Sequence, residues 1–214
     1  MPLLHSRLLN EHTLLGVWQI TEQPQELLAA LPAQLCTEAI SGNIHPKRQL
    51  EWLASRTLVY ALLPHFTSEP LCLLRDENGK PVFENSPLQV SITHAPELAA
   101  VIISDKYHVG IDIERIHPKA LRVAGKFLSE AEQAYTAGEE LKTCLYWSAK
   151  ETLYKLYSKR KLLFKENILL RPDQNLLSGC VQTNGFSRDY QVYHEVVRNH
   201  VLTYCYDQNY DKSF

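Results

Sequence analysis

From Glu139 to Tyr157, the residues Leu141, Cys144, Leu145, Ser148, Ala149, Thr152, Leu153 and Leu156 recur at i, i+3, i+4, i+7 spacing, one apolar stripe on a long helix. Such a stripe belongs in a core. Helices are also expected over Pro24 to Leu31, from His45-Pro46 to Pro64, over Pro118 to Phe127, and over Glu130 to Thr136. The last of these has Ser129 as N-cap and Glu132 at the capping-box position. Strands are expected at Leu14 to Ile20, Gln89 to His94, Asn167 to Leu170, Tyr190 to Val197 and Val201 to Tyr206. Leu98 to Ser104 and Tyr107 to Arg115 read as a hairpin turning at Asp105-Lys106, and that turn divides the chain into halves 1–105 and 106–214. Asp76-Glu77-Asn78-Gly79 is a turn, followed by extended chain at Pro81-Val82-Phe83.

Composition narrows the function. The 214 residues suffice for one large domain or two small ones, and 45% hydrophobic with 21% charged residues excludes a disordered or fibrous chain. The longest apolar run, Leu98 to Ile103, is far short of the roughly 20 residues that span a bilayer. Met1 to Trp18 is broken by Arg7, Asn10 and Glu11, so no export signal is expected. Five scattered cysteines with no C-x-x-C pair fit reduced core residues of a cytoplasmic protein. A net charge of −2 gives no general attraction to nucleic acid, so any recognition of anions must be local.

No phosphate loop, dinucleotide fingerprint or nucleophile elbow is present. His194-Glu195 followed by His200 does not meet the H-E-x-x-H spacing of a zinc site. Two other segments carry chemistry. Along Val109 to Glu114 side chains alternate, so Val109, Ile111 and Ile113 share one face and Asp112 and Glu114 the other. Taken alone, this describes a half-buried strand with a solvated acidic face. Yet two like charges roughly 7 Å apart repel unless something positive lies between them, and a hard cation would supply it. On the long helix, Trp147, Glu151 and Lys155 form a row at i, i+4, i+8 beside the apolar stripe. The plain reading is a surface Glu–Lys pair, which leaves Trp147 and Lys150 unexplained. The functional reading sets Glu151 as a third carboxylate beside Asp112 and Glu114, with Lys155 one turn further on, a set suited to Mg²⁺ bound to a diphosphate.

Gly110-Ile111-Asp112-Ile113-Glu114, followed by Trp147-Ser148-Ala149-Lys150-Glu151-Thr152-Leu153-Tyr154-Lys155, resembles the paired signature of the 4'-phosphopantetheinyl transferase family, G-[IV]-D-x-E and W-S-x-K-E-x-x-x-K. Upstream, Asn78-Gly79-Lys80-Pro81 is similar to the family's G-K-P turn, and Ser91-Ile92-Thr93-His94 to its S-x-[ST]-H strand end. The length is similar to that of the long, monomeric, Sfp-like group. The resemblance implies an α+β fold of two pseudo-symmetric halves with the active site at their interface. It also implies transfer of 4'-phosphopantetheine from coenzyme A to a serine of an apo acyl or peptidyl carrier protein, with release of 3',5'-adenosine diphosphate. Asp112, Glu114 and Glu151 are then the Mg²⁺ ligands, Glu151, Lys155 and Asp112 the catalytic residues, and Lys80, Thr93, His94, Lys155, Arg48 and Arg56 the coenzyme A ligands.

His94 would otherwise read as a satisfied structural histidine, and Lys47, Arg48 and Arg56 as a solvated basic helix face. Where many relatives have a glycine-rich turn, this chain has Leu156-Tyr157-Ser158-Lys159-Arg160-Lys161-Leu162. Lys159, Arg160, Lys161 and Lys165 read either as a solvated charge run, the commoner case, or as a face for an acidic carrier protein, with Lys119, Arg122 and Lys126 as rival candidates for that face. The same carboxylates would serve an Mg²⁺-dependent hydrolase of nucleotide diphosphates, and a coenzyme A binding protein without activity is a third reading. The tryptophan-to-lysine signature argues against the first, and retention of Asp112, Glu151 and Lys155 against the second.

Overall fold

The structure, a computed structural model, describes residues 3–32, 45–159 and 161–208. The chain divides into two compact units, Met1–Val109 and Gly110–Phe214. The first is built on one antiparallel sheet of β1 (Leu3–Asn10), β2 (Thr13–Gln19), β3 (Leu73–Arg75), β4 (Pro81–Phe83), β5 (Gln89–Ala95) and β6 (Leu98–Ser104), in the order β1-β2-β6-β5-β4-β3. Helix α1 (Pro24–Ala30) rests on α2 (Pro46–Leu62), and α2 lies against β2, β5 and β6. Pro46 at the first helical position starts α2, and the His45 side chain accepts a hydrogen bond from the Lys47 amide. Leu53, Leu58 and Leu62 of α2 pack with Leu14, Trp18, Val101 and Ile103.

All seven residues of β6 are buried, which a strand achieves only in the middle of a sheet. The expected hairpin with the following segment is therefore not formed. Both hydrogen-bonding edges of β6 are taken, by β2 and β5, and β7 (His108–Arg115) joins the second sheet instead. β1 and a strand over Leu176–Thr183 are likewise absent from the sequence pattern. β1 has no buried residue, and its Leu8 is exposed, so it lacks the alternation of a half-buried strand.

The second sheet has the order β7-β11-β10-β9-β8, with β8 (Ile168–Asp173), β9 (Leu176–Thr183), β10 (Phe186–Val197) and β11 (His200–Asp207). Helices α3 (Lys119–Phe127), α4 (Glu130–Thr136), α5 (Glu140–Tyr157) and α6 (Phe164–Asn167) complete the unit. The capping box expected at Ser129 and Glu132 opens α4. Ala149, Leu153 and Leu156 of the α5 stripe enter a core with Ile168, Leu177, Val181 and Val192. Its polar members are satisfied by β11: Ser148 Oγ lies 2.8 Å and Thr152 Oγ1 2.7 Å from Thr203 Oγ1. Leu141, the second residue of the helix, is exposed rather than in the core. At Gly110, any Cβ would collide with the carbonyl oxygen of Thr152, so only glycine lets β7 come this close to α5. Each unit thus combines an antiparallel sheet with helices, the α+β architecture expected. No helix among the described residues is long and apolar enough to cross a membrane.

Candidate active site

The close approach at Gly110 brings the helix row and the acidic strand face together. Lys155 Nζ donates to Asp112 Oδ1 at 2.7 Å and to the carbonyl oxygen of Ile111 at 3.1 Å. Two turns earlier, Trp147 Nε1 donates to Glu114 Oε1 at 2.8 Å. Further up the helix, the Cys144 thiol donates to the carbonyl oxygen of Arg115 at 3.6 Å, and burial pushes that thiol up to about 12. Glu151 occupies the position in the row between the two contacts that bind Asp112 and Glu114.

The electrostatics follow from this placement. Burial raises the Glu151 carboxyl from 4.5 to about 7; Asp112 and Glu114 add to the rise and Lys155 opposes it. Glu114 is raised as well, first by burial and then by Asp112, against the pull of the Trp147 hydrogen bond, Lys155 and Lys119. The three carboxylates therefore feel one another. Among the described residues no group of three or more His, Cys, Asp or Glu side chains closes into a metal-ligand cluster. The donor chemistry nonetheless suits a hard cation. Three carboxylates face one ammonium, and the charge left over is that of one divalent ion.

Lys150 and Glu132 stand out beside this site. Lys150 is 0% exposed, and its Nζ donates to Glu132 Oε2 at 2.8 Å and to the carbonyl oxygens of Phe127, Phe164 and Ile168 at 2.8, 2.9 and 2.6 Å. Burial lowers its pKa while Glu132 counters, and four acceptors around one nitrogen favour the ammonium form. The sequence reading leaves Lys150 unexplained. Its signal is nevertheless present, because Tyr146, Ala149, Lys150 and Leu153 form a second helical row in which a lysine takes a core position.

The remaining candidates lie in the first unit. The Asp76 turn forms as expected: Asp76 Oδ1 accepts the amides of Asn78 and Lys80 at 2.8 Å, and Gly79 has φ of 82°. Lys80 follows it; its Nζ donates to Gln89 Oε1 at 3.3 Å, and burial lowers its pKa against the pull of Asp76. Thr93 is buried on β5, and His94 Nδ1 lies 3.3 Å from Glu51 Oε2 on α2, a partner the sequence reading misses. Arg48 is exposed in the first turn of α2, as is Lys47. Arg56 departs from the expected basic face: it is buried, with its guanidinium 4.5 Å over the Trp52 ring and Nη1 donating to Ser55 Oγ. Lys119, Arg122 and Lys126 are exposed along one face of α3, and Lys159, Lys161 and Lys165 are exposed too. Arg160 lies outside the described residues.

A family model described as the 4'-phosphopantetheinyl transferase superfamily matches residues 108–205, and one described as the 4'-phosphopantetheinyl transferase N-terminal domain matches residues 37–104. The chain is similar to the 4'-phosphopantetheinyl transferase AcpT of Escherichia coli O157:H7, with 39% identity over 93 residues, 43% of this chain and 44% of that protein. It is also similar to the 4'-phosphopantetheinyl transferase AcpT of Salmonella typhi, with 30% identity over 133 residues, 58% of this chain and 65% of that protein. The chain thus spans less than half the length of the Escherichia coli relative it matches. Matched in order across both units, and carrying the acidic strand and the tryptophan-to-lysine row in contact, the chain belongs to the 4'-phosphopantetheinyl transferase superfamily.

Proposed function

We propose that the protein transfers the 4'-phosphopantetheine group of coenzyme A to a serine of an apo acyl or peptidyl carrier protein in an Mg²⁺-dependent reaction. The reading is supported by the Lys155–Asp112 ion pair and the Trp147–Glu114 hydrogen bond, with Glu151 between them on the same helical row and its carboxyl raised to about 7. Asp112, Glu114 and Glu151 would hold the cation as hard oxygen donors. When bound, Mg²⁺ neutralises charge growing on the phosphate oxygens.

The chain's own residues supply the rest. Glu151, between the Asp112 and Glu114 contacts on its helical row, is the carboxylate assigned to accept the proton of the attacking serine. The serine oxygen forms its bond to the β-phosphorus as the bond to 3',5'-adenosine diphosphate breaks. Lys155, anchored on Asp112, presents an ammonium to the departing diphosphate. Lys80, Thr93 and His94 contact coenzyme A phosphates or the backbone near them, with Arg48 as a further ligand of the 3'-phosphate. Arg56, buried against Trp52, is better suited to hold α2 than to reach a ligand. The exposed face of α3 offers Lys119, Arg122 and Lys126 to an acidic carrier. We further propose that the protein acts as a monomer.

The direct test incubates the protein with coenzyme A, Mg²⁺ and an apo carrier and weighs the carrier by mass spectrometry. A mass gain of one phosphopantetheine, dependent on Mg²⁺, is expected. An unmodified carrier alongside release of nucleotide from a diphosphate substrate contradicts the reading in favour of hydrolysis.

A further inference from the structure

We propose that Lys150 is a positioning residue for the Glu114 carboxylate, acting through an aromatic clamp around Trp147. The assignment builds on the reading of Glu114 as part of the transfer site. Lys150 is fully enclosed, and its three N–H groups serve four acceptors. Two of those are the carbonyl oxygens of Phe127, the last residue of α3, and Phe164, the first of α6. The rings of these same two residues meet the Trp147 indole, Phe127 edge-on with centroids 5.0 Å apart and Phe164 tilted at 5.5 Å. The indole N–H then reaches Glu114 Oε1 at 2.8 Å. One ammonium thus pins the two backbone points that set both walls of the indole's environment.

Glu132 braces the same node from the other side. Its Oε2 accepts the Ser129 amide at 2.7 Å as well as Lys150, and its Oε1 accepts the Leu170 amide at 2.8 Å. Stability alone does not account for a buried lysine and glutamate here, because replacing such a pair by apolar side chains is often neutral or stabilising. What the charged pair supplies is direction: its hydrogen bonds fix α3, α4, α6 and β8 to one point of α5, one turn after Trp147 and next to Glu151.

The test reads the indole N–H resonances of ¹⁵N-labelled, ligand-free protein, with Trp147→Phe used to identify the Trp147 signal. In the double variant Lys150→Met/Glu132→Gln, which leaves no buried charge unpaired, that signal moves away from its hydrogen-bonded position. Coenzyme A binding in the presence of Mg²⁺, measured by calorimetry, weakens about tenfold. Adding Trp147→Phe to the double variant produces no further loss, because both changes break one link. A folded double variant whose Trp147 signal stays in place, or a loss that adds to that of Trp147→Phe, overturns the proposal. Should the double variant not fold, Phe164→Leu carries the test, since it removes one wall of the clamp and keeps the carbonyl on Lys150. In this variant the readout is the solvent exchange rate of the Trp147 indole N–H, because loss of a ring moves the chemical shift directly: faster exchange supports the clamp, and an unchanged rate overturns it. The resonance is read without ligand, so it decides the positioning role even if the wild-type protein transfers nothing, a result that would count against the proposed function alone.

Discussion

Lys155 holds Asp112 with an ion pair of 2.7 Å, although the two residues are 43 positions apart in the chain. The Asp112 side chain is only 6% exposed, so its charge is balanced within the protein rather than by water. Lys155→Ala is expected to destabilise the fold by about 1–3 kcal/mol, the cost of removing a charged donor from a buried carboxylate. Turnover should fall on the order of 100-fold, as for loss of one group that stabilises developing charge. Denaturant unfolding and carrier-modification rates measure the two separately. A variant with reduced stability and unchanged turnover would make Lys155 a partner of Asp112 and nothing more.

The pH dependence follows from Glu151. Its carboxyl is raised from 4.5 to about 7, so between those values the folded protein keeps a proton that the unfolded chain has lost. Stability therefore falls as pH rises through this window, by on the order of 3 kcal/mol at most, and the full loss is present above pH of about 7. With metal removed by chelation, Glu151→Gln should raise the urea midpoint at pH 8 and change it little at pH 4. A midpoint difference that is the same at both pH values would show that Glu151 is not raised.

Lys80→Ala and His94→Ala should raise KM for coenzyme A more than they lower kcat, if they bind phosphate equally in ground and transition states. The His94 variant also frees Glu51, so thermal unfolding should accompany the kinetics. Unchanged KM in both variants would confine Lys80 to its turn and His94 to its contact with Glu51.

Carrier docking separates two basic surfaces. Lys119 acts electrostatically on Glu114, which puts the start of the α3 face beside the carboxylates. Arg122→Glu/Lys126→Glu should raise KM for the carrier and flatten its salt dependence, while Lys161→Glu/Lys165→Glu should leave both nearly unchanged. The reverse pattern would move the docking surface to the segment after α5.

Much of the candidate site is readable before any coordinates. The spacing of Trp147, Glu151 and Lys155 places them on one helical row, and the alternation of β7 places Asp112 and Glu114 on one face. What pattern alone does not give is which rows touch. The Asp105-Lys106 turn looks like a hairpin because local signals say nothing about whether the edges of β6 are already occupied by distant strands. For Arg56 the pattern offers a coenzyme A ligand or a solvated basic face, and neither anticipates a guanidinium buried against an aromatic ring. Lys150 was equally opaque, since its four acceptors come from α3, α4, α6 and β8, elements assembled only in the folded chain.

Glu151→Gln bears most directly on the claim that this carboxylate row performs the transfer. The amide keeps the volume and one oxygen donor but cannot accept a proton at neutral pH. Rates of carrier modification by mass spectrometry should drop at least about 100-fold, while calorimetric binding of coenzyme A in Mg²⁺ should weaken far less. Near-normal turnover in Glu151→Gln would contradict the assignment of Glu151 as the base, and retained turnover in Asp112→Ala as well would contradict the site itself.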